Sequence, residues 1–156
     1  MVEPRLDPKV IQHATDLLAA AIHIDRYVMH AVNRLDEDFA GIHDLVMQTF
    51  KQLSKNKHLL DDKVMIGKEV VGDEVTRNLE QITLHNEQLE AAATTPTLRL
   101  QKLCGYCDRS FEFYNDIAEM NADAAVKLMA KELAARASER IDVLKQALGN
   151  ECGCDS

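Results

Sequence analysis

The chain has 156 residues, 46% of them hydrophobic, and a net charge of −8. That length fits one domain with a sizeable core. The acidic balance, with no Lys/Arg cluster standing clear of acidic neighbours, argues against a nucleic-acid partner. No stretch approaches the roughly 20 apolar residues of a membrane span, and the charged start MVEPRLDPKV lacks the apolar run of a signal peptide. A cytoplasmic location is expected, where four cysteines are thiols, metal ligands or a redox pair sooner than structural disulfides. Tryptophan is absent and proline and glycine are scarce. Ala, Leu, Glu, Lys and Gln abound where strand-like alternation does not, which predicts an all-helical domain.

Asp7-Pro8 offers a cap followed by proline at the first helical position, and the spacing predicts a helix from there to about Leu35. Its stripe is Ala14, Leu18, Ala21, Asp25, Val28 and Val32, so Asp25 is the one charge on an apolar face. A second helix is predicted from about Asp38 to Val70, with Ile42, Val46, Thr49, Leu53 and Leu60 inward. Val71-Gly72-Asp73 breaks the chain, Asp73 serving as a cap. A third segment, 74–92, turns Val75, Leu79, Ile82 and Leu89 inward. Thr95-Pro96 repeats the cap-then-proline signal before a helix with Leu100, Cys104, Cys107, Phe111, Tyr114 and Ala118 on one stripe. Asn121 or Asp123 caps the last helix, whose inner face is Val126, Ala130, Leu133, Ala137, Ile141, Leu144 and Leu148, and Gly149 stops it. The short turns make antiparallel hairpins of 8–70 and 96–149, joined by the 74–92 crossover. The architecture expected for residues 1–149 is therefore an all-α four-helix bundle with an additional crossover helix. Residues 150–156 form a Cys-containing tail.

The two hairpins resemble one another. Asp25-Arg26 opens one matching stretch and Asp108-Arg109 the other. Lys55 stands three residues before His58, as Glu139 stands three before Asp142. A polar residue from one helix and an i, i+3 pair from the next is how dimetal sites are built into bundles, because such a pair lies on one helix face.

The segment Phe111–Leu148 carries Phe113-Tyr114, Ile117-Ala118-Glu119, a short Asn/Asp turn and Ala137-Ser138-Glu139-x-x-Asp142-Val143. It resembles the second hairpin of the rubrerythrin-like branch of the ferritin-like superfamily. The first hairpin resembles the family's opening helices more weakly. The resemblance implies a ferritin-like bundle holding iron, or manganese or zinc, in a dinuclear site. If active, such a site would make the protein an oxidoreductase acting on peroxide or oxygen in iron or oxidative-stress metabolism. Carried over by residue, the metal ligands would be Asp25, His58, Cys107 or Asp108, Glu139 and Asp142. The match departs from the pattern at Lys55, where a glutamate is expected and a protonated amine cannot ligate, and at Asp142, where a histidine is expected. An ordinary diiron centre is therefore not expected.

The residues also support plainer readings. Lys51, Lys55, His58 and Asp62 form a polar stripe beside the apolar face, as on a solvated helix. Glu139 and Asp142 share a mixed face that suits exposed salt bridges. A structural ion pair accounts for Asp25 as well as a metal does, since a buried carboxylate must have some partner. His13, His23, His30, His43 and His85 form no spaced cluster and read as surface or boundary residues. Cys104 and Cys107 stand one turn apart, within reach of a disulfide, yet serve equally as small buried hydrophobes. Cys152 and Cys154 could meet them around a metal, although Cys-x-Cys is not the usual zinc-knuckle spacing. The second functional expectation is thus a non-catalytic interaction or thiol-sensing bundle that has lost its metals and acts through a protein partner or a homodimer.

Overall fold

The computed structural model describes residues 4–39, 41–67 and 71–149, with the side chains of 64–67 excluded. Regular structure among them is entirely helical: a 3-10 turn at Pro8–Val10, then α1 (Ala14–Leu35), α2 (Ile42–Gly67), α3 (Asp73–Ala92), α4 (Pro96–Met120) and α5 (Ala124–Leu148). Among the described residues no helix is long and apolar enough to cross a membrane.

The first helix starts later than its sequence suggests. Asp7 caps only the 3-10 turn, accepting from the Lys9 amide at 3.0 Å, and Ile11 is extended. The true start is fixed by Asp16, whose Oδ2 accepts from the Gln12 and His13 amides at 3.0 Å each. Its Oδ1 accepts from the Gly72 amide at 3.0 Å. One buried carboxylate therefore satisfies orphan donors at the start of α1 and ties that start to the N-cap of α3. The cap of α3 is Gly72 rather than the expected Asp73, which lies in the first turn. There its charge still opposes the positive end of the helix dipole.

Where the cap-then-proline signal is intact, the boundaries follow it. Thr95 Oγ1 accepts from the Leu98 amide at 3.2 Å and Pro96 opens α4. Asp123 Oδ1 accepts from the amides of Ala125 and Val126 at 2.8 and 3.3 Å. Gly149 ends α5 at φ +65°, a conformation that disfavours a Cβ. Residues 68–70 and 150–156, which include the expected end of the second helix and the cysteine tail, lie outside the described residues.

α1 packs mainly on α2 and α4 mainly on α5; α1 also touches α3, α4 and α5, and α2 meets α5. So surrounded, α1 is buried well beyond one stripe: Leu17, Leu18, Ala20, Ala21, Ile24, Val28 and Val32 are all enclosed. Each fully buried branched side chain stabilises by about 1.5–3 kcal/mol. α5 answers with small residues, Ala130, Ala134 and Ala137, that let neighbouring backbones approach. Tyr114, on α4, is among the largest side chains fully enclosed.

Candidate functional site

Asp25 lies at the middle of α1, on the stripe its spacing predicts, with 1% of its surface exposed. Both of its carboxylate oxygens are taken. Arg140 of α5 donates from Nη2 to Oδ1 at 2.6 Å, and Asn56 of α2 donates from Nδ2 to Oδ2 at 2.9 Å. Gln52, one turn before Asn56, donates to the Asn56 Oδ1 at 3.1 Å and fixes that amide's orientation. Arg140 and Asn56 are themselves buried. Three helices thus meet on one carboxylate through a charge-assisted pair and a neutral donor. The fourth, α4, presents the Cys107 thiol and the Tyr114 ring, which interact electrostatically with the pair.

Burial pushes the Asp25 carboxyl above its ordinary range, against the opposing pull of Arg140 and Asn56. Burial also works against the Arg140 charge, but the attraction of Asp25 outweighs it and holds the guanidinium proton more firmly than usual. The carboxylate is therefore the member of the pair that titrates first. Burial pushes the Cys107 thiol up to about 12 despite Arg140. A thiol so placed is neither a nucleophile nor a ready metal ligand at neutral pH.

Apart from Cys107, the other residues of the expected metal set are not gathered around Asp25. His58 has 79% of its side chain exposed and lies 3.5 Å from the Asp62 carboxylate, one turn along α2. Glu139 is 59% exposed and lies 3.4 Å from Arg136. Asp142 is exposed and Asp108 half-buried on the flank of α4. Burial raises the Asp108 pKa, with Lys145 opposing and Glu112 adding to the effect. Among the described residues no group of three His, Cys, Asp or Glu side chains could hold a metal ion. Lys55 lines a groove of about 350 Å³ over the pair, together with Lys51, Arg136, Glu139 and Arg140. A divalent cation entering there would meet four cationic side chains and one carboxylate. The donor set does not fit a dinuclear metal.

The cysteines also stand apart from the expected pairing. Cys107 is a free thiol and Cys104 is disulfide-bonded, so the two are not joined to each other. Cys152 and Cys154 lie outside the described residues, and the four-cysteine metal site falls there with them. Of the histidines expected on surfaces or boundaries, His23 is partly buried, 3.3 Å from the Thr83 hydroxyl. Burial, reinforced by Arg26, lowers its pKa.

Arg140 and Asn56 had not been singled out from the sequence, although the signal was present. Spacings of four and three from Val126 pass through Ala130, Leu133 and Ala137 and land on Arg140. The run Ile42, Leu45, Thr49, Leu53 likewise lands on Asn56. Compared with known proteins, the chain matches no family model, no curated protein and no solved structure.

Proposed function

We propose that the chain is a non-catalytic bundle of ferritin-like build, in which a buried arginine–carboxylate network replaces the dinuclear metal site, and that it acts by binding rather than by redox turnover. The observation that carries this reading is the occupation of both Asp25 oxygens by Arg140 and Asn56. In a dimetal bundle, inward carboxylates from several helices need cations between them. Here Asp25 is the inward carboxylate at the middle of the bundle, and a guanidinium supplies its counter-charge. The packing of α1, α2, α4 and α5 around this network, with α3 between the hairpins, supports the four-helix reading. The alternative metalloprotein, holding iron, manganese or zinc and reducing peroxide or oxygen, is favoured by one feature alone: a carboxylate buried in the middle of the first helix.

Elemental analysis of untagged protein purified without oxygen separates the two. The binding reading expects no transition metal at a stoichiometric level. About two irons or manganese ions per chain, lost in Asp25→Asn and Glu139→Ala, would restore the metalloprotein.

A further inference from the structure

A cavity of about 220 Å³ lies between the N-terminal segment, α3 and α4, and shares no residue with the Asp25 network. Two buried polar side chains line it from opposite helices, Asn86 at 3% exposure and Tyr106 at 2%. The Asn86 side chain lies close enough to the Tyr106 hydroxyl to ease its burial as a hydrogen-bond partner would, but neither the Asn86 Nδ2 nor the Tyr106 hydroxyl makes a hydrogen bond of good geometry. Each such buried group costs about 1–3 kcal/mol when left unpaired, and two facing one cavity call for something inside it to bond.

The rest of the wall is charged in both senses. Arg5 and Arg109 bring two cations, and Glu112 and Asp116 bring two carboxylates. The Arg109 guanidinium lies 5.9 Å from the centre of the Tyr106 ring, a cation–π contact on the cavity wall. Leu6, Ile82 and Phe113 supply an apolar wall. The N-terminal segment that completes the cavity is fastened in place: Asn78 of α3 donates to the Arg5 carbonyl at 2.7 Å and accepts from the Asp7 amide at 3.1 Å. At roughly 30 Å³ per molecule, the space would hold about seven waters. That is small for a drug-sized ligand but suits a small metabolite.

We propose that this cavity binds a free α-amino acid with an apolar side chain. Arg109, the Asn86 amide and the Tyr106 hydroxyl would take its carboxylate, Glu112 and Asp116 its ammonium, and the apolar wall its side chain. A simple anion would leave two carboxylates facing it, and a simple amine would leave two guanidinium groups. A zwitterion satisfies both. The proposal gives the binding reading a ligand class, but it does not depend on Asp25, so its failure would leave the metal-free account standing.

The test is isothermal titration of the full chain with L-leucine, L-isoleucine and L-phenylalanine, and with isocaproate and isoamylamine, which each lack one charge of leucine. One-to-one saturable binding of at least one amino acid is expected, weakened at least tenfold for both truncated analogues. Arg109→Gln, an exposed position that leaves folding intact, should weaken binding at least tenfold. Tyr106→Phe should weaken it without lowering the melting temperature, because the hydroxyl it removes is unpaired. No saturable heat with any of the three amino acids would overturn the proposal, as would Tyr106→Phe destabilising the fold with affinity unchanged. The second result would mark the cavity as a water-filled structural site.

Discussion

Asp25→Asn removes the charge opposite Arg140 and little else. The substitution is close to isosteric, so no cavity opens, but the guanidinium stays buried without a counter-ion. Arginine cannot escape by losing its proton, and breaking a buried pair in this way costs about 3–5 kcal/mol. With a urea m-value of about 2 kcal/mol/M for a chain of this size, the unfolding midpoint should fall by about 2 M. Arg140→Met is asymmetric with it, because the carboxylate left behind can be protonated. Burial already holds the folded Asp25 pKa above its ordinary value of 3.8, so the folded state takes up the proton first. The stability this confers is present at acid pH and is lost as pH rises from 3.8 through the folded pKa. Without Arg140 the folded value rises further. The Arg140→Met penalty should therefore be small near pH 4 and grow towards neutrality, while the Asp25→Asn penalty should fall over the same range, because only the wild type carries the titrating carboxyl. The double variant Asp25→Leu, Arg140→Met should recover most of the loss, leaving the unpaired Asn56 amide at about 1–3 kcal/mol. Urea titrations of the four proteins between pH 4 and 8 measure each of these costs. A cost below about 1 kcal/mol for Asp25→Asn would refute the reasoning, since it would mean that solvent reaches the pair.

Three further outcomes follow from the same geometry. Cys107 should resist alkylation in the native protein at mildly alkaline pH and react on unfolding. Its folded pKa of about 12, against an ordinary 9.0, means that its contribution to stability declines as pH rises above 9, which a pH series of unfolding midpoints would detect. Asp16→Ala should cost about 2–4 kcal/mol, because it strips three backbone amides of their acceptor and unties α1 from α3; hydrogen exchange should show faster opening at both helix starts. Asp123→Ala should cost about 1 kcal/mol, the usual value of an N-cap, and thermal unfolding would measure it.

Helical class and the inward position of Asp25 were legible because each rests on periodicity, which is local. The boundaries at Thr95-Pro96 and Asp123 were legible because a cap and its helix are neighbours in the chain. The start of α1 was not. Asp7-Pro8 carries a good local signal, but Asp16 overrides it by reaching Gly72, a contact between distant segments. The site was read in the same uneven way. A charge on an apolar stripe announces that it needs a partner, but periodicity does not name one. The i, i+3 pattern directed attention to Glu139 and Asp142, on the outer flank of α5, when the adjacent Arg140 was the residue turned inward. Cys104 and Cys107 both belong to the core stripe, as their spacing indicates, and proximity along a helix did not make them a pair.

The most direct test of the central claim is an anaerobic titration of Fe(II) into the metal-free chain, followed by its melting temperature. A guanidinium already fixed on Asp25 predicts no saturable shift, with the same result for Mn(II) and Zn(II). A saturable rise reaching its plateau at about two ions per chain, and absent in Asp25→Asn, would contradict it.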